Sequence, residues 1–182
     1  MTLPNKITTI RIILLPFFII SVVKFSSDKN LYRYLALGIF CLAGFSDFLD
    51  GYLARRLNQE TEVGRILDVV ADKILLISSF ITLSLLDNFM LPFWVTFIVI
   101  IRDIAVIAGV IFIYLKYNKL YIFPSILGKI SITWEMLTII SVLLLFKYSY
   151  IIWNITILLV IASGLNYLRD SVRTFRGKRQ II

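Results

Sequence analysis

The chain has no histidine and a single cysteine, Cys41, among its 182 residues. One cysteine forms neither an internal disulfide nor a thiolate cluster, and the nitrogen and sulfur donors usual in a zinc centre are missing. Charged residues are also scarce, 16% of the chain against 59% hydrophobic residues, and mean hydropathy is +0.91. That balance excludes an ordinary soluble globular domain and indicates a membrane protein. No charged start followed by a short apolar stretch and a small-residue cleavage site opens the chain, so the first apolar run is expected to be retained. No repeat of 20 to 50 residues occurs. The net charge of +8 comes without basic residues interleaved with stacking aromatics, which excludes a nucleic-acid surface.

What is present is one apolar run after another. Crossing the hydrocarbon layer takes about 20 apolar residues, and the polar punctuation divides the chain into six such runs. The first follows Pro4-Asn5 and ends near Lys24; the second spans Leu31 to Leu57. The third runs from Thr61, read as its N-cap, to Leu86, before Asp87-Asn88. The fourth covers Leu91 to Lys116, the fifth Pro124 to Phe146, and the sixth Tyr150 to about Arg173. The expected fold is all-α, one domain over residues 1–182, with six transmembrane helices and a short N-terminal interfacial segment. Trp94, Tyr114, Tyr117, Tyr148, Tyr150 and Trp153 stand near the run ends, where an aromatic belt belongs. Ala36, Gly38 and Gly44 are read as small residues that let helices approach closely.

Six spans put both termini on one side. Lys6, Arg11, Arg55, Arg56, Arg65, Lys116, Lys119, Lys129 and a tail from Arg169 to Arg179 gather on that side; Lys24, Lys29, Arg33 and Lys147 gather on the other. The richer side is read as cytoplasmic. The tail is read as solvated and attracted to anionic lipid.

Carboxylates inside apolar helices are costly and mark function. Asp47 and Asp50 are three residues apart near the cytoplasmic end of the second run, and Asp68 and Asp72 are four apart at the start of the third. Each pair shares a helix face, and the short connection makes the two helices antiparallel neighbours. Four carboxylates in one cavity need a cation, and all-oxygen ligation points to Mg²⁺ or Mn²⁺. Gly51 and Gly64 allow close approach of a ligand to the backbone, and Arg55 can pair with a phosphate. Together these features suggest a diphosphate ligand.

The pattern Asp47-x-x-Asp50-Gly51-x-x-Ala54-Arg55, eight residues, Gly64-x-x-x-Asp68-x-x-x-Asp72 resembles the signature of the CDP-alcohol phosphotransferase family at all eight fixed positions. The resemblance implies transfer of a phosphatidyl group from CDP-diacylglycerol to an alcohol with release of CMP, at the inner membrane. It implies two divalent cations held by Asp47, Asp50, Asp68 and Asp72, with Asp72 also the base for the acceptor hydroxyl. It further implies contacts from Gly51, Arg55, Gly64 and Thr61 to the CDP moiety. The opening Pro4-Asn5-x-x-Thr8-x-x-Arg11 resembles the family's N-terminal segment, which would bring Asn5 and Thr8 to the nucleotide. Homodimers are common in the family.

Arg102-Asp103 in the fourth run and Lys129 in the fifth resemble sites in bacterial phosphatidylglycerophosphate synthases, where basic groups hold the phosphate of glycerol 3-phosphate. Those enzymes commonly carry Arg-Glu in place of Arg102-Asp103. The Arg-Asp pair is similar to CMP-forming cardiolipin synthases, whose acceptor is phosphatidylglycerol. Structural readings stand beside these: Arg102 with Asp103 as a polar lock between helices, and the four aspartates as an ion network with Arg55, Arg65 and Lys73. A divalent cation transporter is the rival of another class, although it would not need Gly51, Arg55 and Gly64 in this register. Glu135 is read as a partner of some basic residue.

Overall fold

The computed structural model describes residues 3–26, 30–57, 62–117 and 126–175. Within these helices, the side chains of 3–10, 12, 47–57, 62–71, 110–117 and 170–175 lie outside the description. The described residues form six α-helices and a short 3-10 helix, with no strand among them. They are α1 (Leu3–Val23), α2 (Asn30–Leu57), α3 (Glu62–Ser84), α4 (Phe93–Tyr117), α5 (Ile126–Leu143) and α6 (Ser149–Phe175), with the 3-10 turn at Asp87–Phe89. The six apolar runs thus each become one helix, and the Asp87-Asn88 break becomes the 3-10 turn. Thr61 lies outside the described residues.

Two helix ends fall earlier than the apolar pattern suggests. After α3 the chain turns at Leu85, and Met90 closes the 3-10 turn in the left-handed region at φ 50° with its N–H bonded to Asp87 O. After α5, Leu145 is left-handed at φ 51°; its N–H bonds Val142 O at 2.9 Å and that of Phe146 bonds Ser141 O at 3.0 Å. This is the paired-bond helix ending that glycine usually supplies. A leucine there gives no signal in the sequence.

Two compact units are distinguished, one of residues 1–91 with 139–146 and one of residues 92–138 with 147–182. In the first, α1 packs against both α2 and α3. Its core holds Phe18 and Val22 from α1, Ala36, Phe40 and Ala43 from α2, and Leu76, Phe80 and Leu83 from α3. Phe18 and Phe40 meet with ring centroids 5.9 Å apart, and Phe25 meets Phe89 at 5.1 Å. Ala36 lies in this core as expected, but Gly38 does not: a Cβ there would meet nothing within 4 Å. Gly38 looks outward, one register step off the packed face.

In the second unit α4 packs on α6, with Val95, Val99 and Val160 buried and Trp94 edge-on to Trp153 at 5.5 Å. Gly109 makes room for Tyr167, because a Cβ there would stand 2.5 Å from the phenol oxygen. That phenol donates to Val106 O at 3.3 Å.

Apolar side chains fill the core and also cover the exterior, while the interior holds buried polar groups. Ser79, Thr96, Asp103, Ser131, Glu135, Thr138 and Thr156 are each fully buried, while Phe17, Leu42, Phe45, Phe97, Leu158 and Leu165 are all more than half exposed. A water-soluble fold would not expose so many large apolar side chains. In a bilayer the outside is solvated by hydrocarbon and the inside carries the hydrogen bonds. Residues 126–143 and 149–169 are long and apolar enough to cross a membrane, and Ile13–Val23 is a shorter apolar stretch of the same kind.

Candidate active site

Helical register carries each buried stripe of the first unit toward the aspartates. On α2 the buried positions 36, 40 and 43 continue by steps of three and four to 47, 50, 51 and 54. On α3 the buried positions 83, 79 and 76 continue backward to 72 and 68. Both helices are unbroken through these positions, so the three- and four-residue spacings place each pair along one helix line. The side chains of Asp47, Asp50, Gly51, Arg55, Gly64 and Asp68 lie outside the described residues, as do those of Asn5 and Thr8 on α1.

Asp72 is the aspartate of the four whose side chain is described. It is 36% exposed, at the end of the α3 stripe, and Oδ1 accepts a hydrogen bond from Nη1 of Arg11. Arg11 is 2% exposed and lies on the same face of α1 as Phe18 and Val22. It therefore belongs to the interior, although in the sequence it stood among the basic residues of the cytoplasmic face. Its signal was its type: an arginine inside an apolar helix needs a partner.

The expected acceptor residues lie in the second unit and differ in environment. Lys129 is exposed near the start of α5. Arg102 is 9% exposed, and its guanidinium is engaged by three helices. Nη1 donates to Asp103 Oδ1 at 2.7 Å, and Nη2 donates to Ser131 Oγ on α5 at 3.0 Å and to Ser163 Oγ on α6 at 2.6 Å. Nη1 also stands 3.8 Å from Oε1 of Glu135, which answers the question of that residue's basic partner. Ser131 in turn donates to Gly128 O at 2.9 Å. Nearby, the hydroxyls of Thr138 and Thr156 are 2.7 Å apart, joining α5 to α6. An apolar cavity of about 350 Å³ between α4 and α6 is lined by Phe97, Ile101, Ile161, Leu165 and the stem of Arg102. Its lining suits hydrocarbon rather than a headgroup.

Among the described residues the protein is all-helical with an apolar exterior, and its aspartates are spaced three and four on two unbroken helices, which defines the class of helical membrane proteins with carboxylates suited to divalent ions. The comparison with known proteins identifies which. The family model described as CDP-alcohol phosphatidyltransferase matches residues 1–162, and the chain belongs to that family. Family members use divalent metal ions. A relative from Wigglesworthia glossinidia brevipalpis is 38% identical over 176 residues, covering 91% of this chain and 88% of the relative. One from Aquifex aeolicus is 33% identical, covering 92% and 94%. Both are named CDP-diacylglycerol--glycerol-3-phosphate 3-phosphatidyltransferase. A rat protein named cardiolipin synthase (CMP-forming) is 29% identical over 97% of this chain and 65% of the relative.

Proposed function

We propose that the protein transfers the phosphatidyl group of CDP-diacylglycerol to glycerol 3-phosphate, giving phosphatidylglycerophosphate and CMP. The observation that carries this reading is the similarity, over 91% and 92% of this chain, to two relatives named for that reaction, at 38% and 33% identity. The eight signature positions from Asp47 to Asp72 support it.

The donor set fits a hard cation: four carboxylates on two continuous helices, with no imidazole in the chain. Asp47, Asp50, Asp68 and Asp72 would hold two Mg²⁺ or Mn²⁺ ions, whose charge holds the diphosphate and stabilises departing CMP. Arg55 and the backbone at Gly51 and Gly64 bind the CDP phosphates and ribose, with Asn5, Thr8 and Thr61 at the nucleotide. Asp72 accepts the proton of the glycerol 3-phosphate hydroxyl as its oxygen attacks the phosphorus bearing the diacylglycerol. The bond from that phosphorus to the bridging oxygen breaks, and CMP leaves with that oxygen. Lys129, exposed on α5, binds the acceptor's phosphate. Arg102 takes the second of the two roles its position allowed, a polar lock, because two carboxylates and two hydroxyls already surround it.

We further read all six helices as transmembrane. Their lengths of 18 to 28 residues correspond to about 27 to 42 Å, enough to span hydrocarbon. The chain is one domain in the inner membrane, with the N-terminal segment, both termini and the aspartates at the cytoplasmic face. The distribution of lysine and arginine supports the orientation.

Incubating the purified protein with CDP-diacylglycerol, Mg²⁺ or Mn²⁺ and each acceptor tests the proposal through CMP release. Release that depends on glycerol 3-phosphate is expected. Release with phosphatidylglycerol alone would replace this reading with cardiolipin synthesis, which the 29% identical rat relative and the Arg102-Asp103 pair favour. Cation flux in liposomes without CMP would make the protein a transporter.

A further inference from the structure

Arg11 is a buried cation that the reaction above does not employ. We propose that it is a positioning residue for Asp72: its guanidinium holds one carboxylate oxygen, fixes how the carboxylate is turned, and limits how strongly the aspartate cluster attracts divalent cations. The inference rests on the metal-assisted transfer proposed above.

Several observations combine here. Arg11 is 2% exposed, and a guanidinium so placed in an apolar helix persists only when it is paired. Its partner is Oδ1 of Asp72, across a sequence separation of 61 residues. The pair links α1 to α3, and α1 also packs on α2, so the cation is carried by the element common to both aspartate-bearing helices. A planar guanidinium donates along fixed directions and so sets the rotation of a carboxylate, where a lysine supplies only a point charge. A fixed positive charge beside one ligand also repels an incoming divalent ion, and the repulsion is strong at a part-buried site. Asp72 therefore keeps one orientation before and after the cations arrive, and the acceptor hydroxyl meets it without rearrangement.

Mn²⁺ binding to the purified protein, followed by electron paramagnetic resonance without substrates, gives a readout independent of turnover. Arg11→Met is expected to bind Mn²⁺ about tenfold more tightly than wild type, because a repelling charge is gone. Its kcat is expected to fall by about 10- to 100-fold, with KM for CDP-diacylglycerol within about twofold. Arg11→Lys keeps the charge and loses the planar donor with its fixed direction; its Mn²⁺ affinity stays within about twofold, while kcat falls about 3- to 10-fold. Tighter metal binding combined with slower turnover is a pattern that a merely structural role does not produce. Should Arg11→Met fail to fold, Arg11→Lys carries the test, and wild-type kcat in that variant overturns the inference. Mn²⁺ affinity in Arg11→Met equal to or weaker than wild type also overturns it. A wild type that neither binds Mn²⁺ nor releases CMP overturns the proposed reaction and this inference together. A wild type that does both, matched by Arg11→Met, overturns only the role of Arg11.

Discussion

Arg102 on α4 donates to Ser163 on α6 at 2.6 Å and to Asp103 at 2.7 Å, with Glu135 a further 3.8 Å contact, so one guanidinium ties three helices around two fully buried carboxylates. The guanidinium and the two carboxylates form one buried cluster. Its cost in desolvation is large, and its value lies in fixing the register of α4, α5 and α6.

Arg102→Met is therefore expected to destabilise the protein by about 3–5 kcal/mol, since it leaves Asp103 and Glu135 buried beside an apolar side chain. Ser163→Ala removes one acceptor and should cost about 1 kcal/mol. Thermal unfolding in a mild detergent measures both, and an Arg102→Met midpoint equal to wild type would contradict the lock.

The Thr138–Thr156 pair, 2.7 Å apart and fully buried, offers a gentler probe of the same interior. Thr156→Val keeps the volume and deletes the hydroxyl. A loss of about 0.5–1.7 kcal/mol is expected, the range for hydrogen bonds between membrane helices. Combining it with Thr138→Val should cost less than the sum of the two single changes, because each alone already breaks the pair.

Asp72→Asn should lower kcat by about 10²- to 10⁴-fold, the range for loss of a general base. Binding of CDP-diacylglycerol, followed by isothermal calorimetry, remains measurable in this variant. Wild-type turnover would remove Asp72 from that role.

Lys129 is exposed, so its replacement by Met should leave unfolding unchanged within about 0.5 kcal/mol. KM for glycerol 3-phosphate should rise about tenfold while KM for CDP-diacylglycerol stays put. Equal shifts in both constants would detach Lys129 from the acceptor.

Helix positions were legible in the chain because long apolar runs and their polar breaks are local signals, as at Asp87-Asn88 before the 3-10 turn. The aspartates were legible because charge is rare in such runs. Their surroundings were not. Arg102 finds Ser131 and Ser163 at separations of 29 and 61 residues, and no periodicity announces a serine as the acceptor of a distant arginine. Arg11 stood in the sequence as one basic residue among several near a helix end, and its pairing with Asp72, 61 residues away, is set by packing. Gly38 misled for the same reason: small size permits close packing, but only rotation of the helix decides whether that face is packed.

The apolar exterior and hydrogen-bonded interior of this protein change what a substitution means. At outward positions such as Phe45, Phe97 and Leu165, exchange among apolar residues leaves the surrounding solvent satisfied, and only charge is forbidden. At inward positions such as Ser131, Thr138 and Ser163, a single oxygen atom carries a hydrogen bond between two helices. Sequence drift should therefore run freely among hydrophobic residues on the outside, while the small hydroxyl residues within stay as exacting as a hydrophobic core is in water.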